Sequence, residues 1–187
     1  QELEGFSMQL TGAGSRLMSW MRVRFQVENL KVLARAFATS RSLDLARQYL
    51  VPLPDDLSLD IEALAAADSV ESFAAAAPSE NLRRGLAASA ATYNEEPRPI
   101  VLEAALDRAY FRELIQRSNA LPLEARRNSI AIARQEADTF HMMLVARGRF
   151  TYGLPAAQLA ELHVGGTAIS NKRFCQMLAA DNLLGAA

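Results

Sequence analysis

Residues 122–150 read PLEARRNSIAIARQEADTFHMMLVARGRF, and this stretch decides the fold. Its one proline opens it, and its one glycine, Gly148, stands near its end. Ile130, Ala133, Ala137, Phe140, Leu144 and Gly148 recur at steps of three or four residues, the stripe of an amphipathic helix. Pro122 suits a first helical turn, and Gly153 suits a cap beyond the last periodic residue. At about 1.5 Å per residue such a helix runs roughly 40 Å.

The rest of the chain is built to match. It has 187 residues, 50% of them hydrophobic and 22% charged, enough for a sizeable core and too apolar for disorder. Alanine is abundant and period-two alternation is absent, so the fold class is all-α. A net charge of −1 with interleaved signs excludes a nucleic-acid footprint. No run approaches the ~18 apolar residues of a membrane span. The lone Cys175 excludes an intrachain disulfide and fits a reducing compartment. The opening QELEGFSMQL has neither the basic start nor the apolar centre of a signal peptide, and the chain reads as a fragment of a longer protein.

In order, the spacing predicts a helix over residues 16–40 with Leu17, Met21, Phe25, Asn29 or Leu30, Leu33 and Phe37 inward. A short helix follows Ser42 and stops before Pro52. Ser58 is expected to cap the next, Asp68-Ser69-Val70-Glu71 to open another as a capping box, and Ser79 to start a third. The double-proline connector 94–99, NEEPRP, divides the chain into residues 1–93 and 97–187. Leu102, Leu106, Tyr110 and Leu114 then stand at strict four-residue steps. Gly165-Gly166 forms a break, Ser170 caps a helix containing Cys175, and Asp181 begins a last one.

A shift of 112 residues lays Gln26–Arg35 on Asp138–Arg147, Leu50-Val51-Pro52 on Leu162-His163-Val164, and Ser58 on Ser170. Between residues 26 and 67, only Ala34, Arg35, Thr39, Leu50, Ser58 and Ala67 are identical to their counterparts, so the order of helix, break and cap carries the repeat rather than the identities. Repeated helical units usually make a scaffold.

Several residues carry possible chemistry. Asp138 and His141 share a helix face, which permits acid–base or metal work or a structural hydrogen bond; the matching Asn29 in the first copy favours the structural role. Glu103 and Asp107 lie one turn apart, either a hydrolytic pair or a salt-bridged face with Arg108 or Arg112. Gly165-Gly166-Thr167 follows a helix rather than a strand and lacks the lysine of a phosphate loop, so it reads as a cap and turn. Arg35 and Arg147 read as helix-end partners of the dipole or of another helix. Met18, Met21, Met142, Met143 and Cys175 read as core, and His163 as a helix-end residue.

These residues resemble the family of C-type subunits of the V-type and A-type ATPases, which the eukaryotic vacuolar enzyme carries as its d-type subunit. Gln26, Asn29, Leu30, Leu33 and Arg35 match one copy of its helix motif, with Gln in place of the family's acid. Asp138, Met142, Val145 and Arg147 match the second copy, with His141 in place of Asn. Glu103, Leu106, Asp107, Tyr110 and Phe111 match its Glu-x-x-Leu-Asp-x-x-Tyr-Phe helix, and Gly165-Gly166 match its turn, where the first copy has Leu53-Pro54.

The resemblance implies a fold of long and short helices in two of the three similar repeats of a pseudo-threefold funnel. It implies a non-catalytic central-stalk subunit without a cofactor, on the cytoplasmic face of the membrane. Its partners would be the central shaft and the proteolipid rotor ring, for proton or sodium transport. Two other readings compete on the residues alone: a helical-repeat adaptor unrelated to ATPases, and a helical enzyme using Asp138 and His141 together with Glu103 or Asp107.

Overall fold

The chain is described from a computed structural model covering residues 12–186. The opening stretch that lacks the marks of a signal peptide lies outside the described residues. Among those described, every regular element is a helix. In chain order they are α1 (Gly12–Thr39), α2 (Leu43–Arg47), a 3₁₀ turn (Asp55–Leu57), α3 (Ile61–Ala65), α4 (Val70–Ala75), α5 (Glu80–Ala88) and α6 (Ala90–Glu95). Then come α7 (Pro99–Asn119), α8 (Leu123–Met143), a π-helical segment (Leu144–Thr151), α9 (Ala156–Ala160), α10 (Asn171–Ala179) and α11 (Leu183–Ala186). Contacts group the chain into two compact units, one ending at Tyr110 and one starting at Phe111, a division that falls inside α7.

In the first unit, Leu102, Leu106 and Tyr110 are all buried, as their spacing predicts. So are the residues between them: every position from Val101 to Asp107 is closed to solvent. A helix buried all round shows little amphipathicity, and that is why α7 reads as less periodic than it is central. Gly85 lets α5 press against it. A Cβ there would stand 2.7 Å from Ala109 Cβ and 3.1 Å from the Ala105 carbonyl oxygen.

The buried face of α1 holds the expected Leu17, Asn29, Leu30 and Leu33 but not Met21 and Phe25. Met21 and Phe25 are 43% and 45% exposed, while Leu17, Trp20, Val27, Lys31 and Ala34 are buried. Alongside Asn29, Leu30 and Leu33, a stripe 17-20-24-27-31-34 turns to the core in a heptad-like alternation of three and four, its Arg24 side chain still 35% exposed. Arg24 and Lys31 occupy two of its positions. A search for apolar residues alone skips them and locks onto the neighbouring 21 and 25.

Ser42, Ser69 and Ser79 cap their helices, their side chains accepting from Leu45, Ser72 and Leu82 N–H; the capping box expected over residues 68–71 is closed one step later, between Ser69 and Ser72. Ser58 is a correction. Its N–H bonds back to the Asp55 carbonyl and closes the 3₁₀ turn, so α3 starts two residues later with Asp60 as its cap, accepting from Ala63 N–H.

The second unit is organised by α8, whose buried Ile130, Ala133, Ala137 and Phe140 are the expected stripe, continued by Leu144 and Gly148 in the π-helical segment. A Cβ on Gly148 would lie 2.8 Å from Leu159 Cδ2, so the missing side chain is where α9 packs. The wider π turn sits at this contact. Gly153 and Gly166 have φ of +67° and +82°, the left-handed turns their residue type permits. Met142 and Met143 are exposed rather than core, since the buried face passes through Phe140, His141 and Leu144. Cys175 is exposed too, one step off the Phe174, Met177 and Leu178 face of α10.

Candidate functional site

The residues singled out by the sequence fall into three clusters. The first is an anchor at the middle of α1. Asn29, 4% exposed, uses both ends of its amide on one residue: Nδ2 donates to the Val51 carbonyl at 2.8 Å, and Oδ1 accepts the Val51 N–H at 2.8 Å. One turn earlier, Gln26 Nε2 donates to the Leu57 carbonyl at 2.9 Å. The chain beyond α2 is therefore strapped to α1 at two points, and backbone groups that no helix satisfies find partners.

The second cluster is the corresponding anchor on α8. Asp138 accepts two backbone donors, Ala168 N–H at 3.0 Å and Ile169 N–H at 2.9 Å. His141, wholly buried, accepts the Val164 N–H through Nε2 at 2.9 Å. Nε2 thus carries no proton in this state, and the neutral ring is protonated at Nδ1, 3.6 Å from Asp138 Oδ1. His163 lies flat on His141, centroids 4.7 Å apart at 8°, and its own Nε2 donates to the Ile169 carbonyl at 2.9 Å. Phe174 of α10 packs beside both rings, 4.9 Å from His141 and 5.7 Å from His163. Burial, and secondarily His163, pull the His141 pKa down to about 4, against the opposing pull of Asp138.

The third cluster joins α1 to the start of α7. Asp107, 3% exposed, receives Arg24 Nη1 at 2.8 Å and Lys31 Nζ at 3.1 Å. Burial pushes its carboxyl above the usual carboxylate range, with Lys31 and Arg24 pulling the other way. Arg35 holds Glu103 in a two-point pair, through Nε to Oε1 and Nη2 to Oε2. Tyr110 stacks on Trp20 at 5.9 Å, its carbonyl accepts the indole N–H at 3.0 Å, and Arg24 lies over its ring. Phe111, in the second unit, packs its ring against Phe140 at 5.5 Å. The acidic pair is salt-bridged, as expected, but its partners are Arg24, Lys31 and Arg35 of α1 rather than Arg108 or Arg112. Sequence reasoning misses Arg24 and Lys31, because charges along a helix ordinarily belong to its surface. Their seven-residue spacing places both on the stripe shared with Trp20 and Val27, and both meet Asp107.

Arg147 departs from its counterpart Arg35. It packs over the Tyr152 ring and donates to the Tyr152 hydroxyl at 3.3 Å. Gly165-Gly166 is the turn that brings Thr167 round, and its hydroxyl donates to the Ile169 carbonyl at 2.9 Å. His141 and Asp107 are sealed from solvent and already hydrogen-bonded, which leaves neither free to meet a substrate. Among the described residues, no group of three or more His, Cys, Asp or Glu is placed to hold a metal ion. No described helix is long and apolar enough to cross a membrane. A groove of about 530 Å³ opens at the end of α1 between Leu33, Phe37, Leu64 and Tyr93, with Arg41 and Asp68 also lining it.

In comparison with known proteins, residues 1–186 match the family described as ATP synthase (C/AC39) subunit. No curated protein and no solved structure matches the chain significantly.

Proposed function

The chain belongs to the ATP synthase (C/AC39) subunit family, the one its motifs resemble, and from that membership we propose that it is a non-catalytic central-stalk subunit of a rotary V-type or A-type ATPase. In this reading it couples the central shaft to the proteolipid rotor ring and so transmits torque for proton or sodium transport. It sits peripherally on the cytoplasmic face and uses no cofactor. The family match over residues 1–186 carries the proposal.

The geometry supports it from the physical side. A torque coupler must hold its shape under load, and the residues that the motifs single out act here as fasteners. Asn29 and Gln26 hold one segment, Asp138 and His141 another, and Asp107 and Glu103 tie α7 to α1. We assign Asn29, Arg35, Glu103, Asp107, Tyr110, Phe111, Asp138, His141, Arg147, Gly165 and Gly166 structural roles. Residues 1–93 and 97–187 are, in the same reading, two copies of one repeat. Helix order agrees with this: α9 starts 113 residues after α2 (156 − 43), and α10 starts 110 after α3 (171 − 61).

The experiment is co-purification of the complete gene product with the proteolipid ring and the shaft at low salt. Stable association is expected. A protein that never associates with either, while folded, overturns the assignment.

A further inference from the structure

The α8 anchor differs from the α1 anchor in being titratable. We propose that His141, with Asp138 and His163, forms an acid-responsive latch on residues 163–169: acid releases this segment from α8, while the hold of Gln26 and Asn29 on residues 51–57 is indifferent to pH. The latch is a property of the fold and does not depend on the functional assignment.

The geometry dictates the direction. His141 holds Val164 only through the lone pair on Nε2, at 2.9 Å from a backbone donor. A proton added there removes the acceptor and sets an N–H against an N–H. The cation it creates has nowhere to be solvated, because the ring is 0% exposed. Its charged and titratable neighbours are Asp138 and His163, and Phe140 and Phe174 add apolar rings. Asp138 on its own helix has both carboxylate oxygens engaged by Ala168 and Ile169. His163, from the segment after α9, presents its ring face, and Phe174 from α10 presents an apolar ring. Opening the segment frees the ring to take the proton in water, so acid favours the open form. At the α1 anchor both side chains are amides, which gain no proton in this range.

With the closed ring titrating at about 4 and a released imidazole at about 6.5, linkage raises the open population roughly twentyfold between pH 7 and pH 5. Amide hydrogen exchange of the chain, corrected for intrinsic rates, reads this directly. Val164 protection is expected to fall about twentyfold, with Val51 unchanged. Unchanged Val164 protection, or an equal fall at both amides, overturns the latch. In His141→Asn the fall at Val164 is expected to vanish, and its persistence also overturns the proposal. A ring titration of His141 by NMR needs no variant. A ring that stays neutral to near pH 4 supports the latch. One that titrates at about 6.5 with Val164 still protected overturns it.

Discussion

The two anchors solve one problem with different chemistry. Each uses a pair of side chains three residues apart on a long helix to catch a segment 22 to 31 residues further on. The pairing of Gln26 with Leu57 corresponds, at a shift of 112, to that of Asp138 with Ile169. Yet the polarity is reversed. Gln26 donates to a carbonyl, whereas Asp138 accepts from N–H groups. Asn29 serves a half-exposed Val51, whereas His141 serves a fully buried Val164. Geometry survives where residue identity does not, because the backbone asks only for a partner at the right place and either hydrogen-bonding sense will serve.

The strongest way to break the comparison is to attack the buried ion cluster around Asp107 in the first unit. Lys31→Met leaves the buried Asp107 carboxylate with Arg24 alone, and is expected to lower stability by about 3–5 kcal/mol in chemical denaturation. Recovery of most of that loss in Lys31→Met/Asp107→Leu would confirm that the uncompensated charge is the cause.

Acid should separate the units next. The His141 pKa is depressed to about 4 in the fold, so the unfolded chain binds this proton first. Its contribution is complete above about pH 6.5 and is lost as pH falls towards the folded value, some 3 kcal/mol in all. Asp107 runs the other way: its raised carboxyl pKa makes its share of stability shrink as pH rises. Denaturation midpoints across pH 4–7 should therefore fall on acidification in the wild type, and fall less in His141→Asn.

Matched leucine substitutions then compare the anchors directly. His141→Leu strands the Val164 N–H in a site closed to water, at about 2–3 kcal/mol. Asn29→Leu exposes Val51 groups that water can reach, at about 1–2 kcal/mol. Equal losses would contradict the difference in burial. Arg35→Ala sharpens least. Its side chain is 51% exposed, so losing the Glu103 pair should shift the midpoint by under about 1 kcal/mol.

Much of this is legible in the sequence. The stripe from Ile130 to Gly148 and the four-residue steps of α7 follow from apolar spacing. The serine caps at 42, 69, 79 and 170 follow from a side chain's reach to a nearby N–H. What is hidden depends on tertiary contact. Arg24 and Lys31 find their partner Asp107 83 and 76 residues further along the chain, while Met21 and Phe25 lie exposed. Ser58 loses its cap to a 3₁₀ turn set by Pro54, Asp55 and Leu57. The catch between Asp138 and Ile169 joins residues 31 apart, beyond any local pattern.

The central claim is that the motif residues fasten the fold and take no part in chemistry. ATP-driven ion transport by the assembled enzyme carrying His141→Asn, the residue found at the matching place on α1, tests it most directly. Transport at wild-type level, with at most a lower melting temperature, is the predicted result. An enzyme that assembles and melts as the wild type does but no longer transports ions would contradict it.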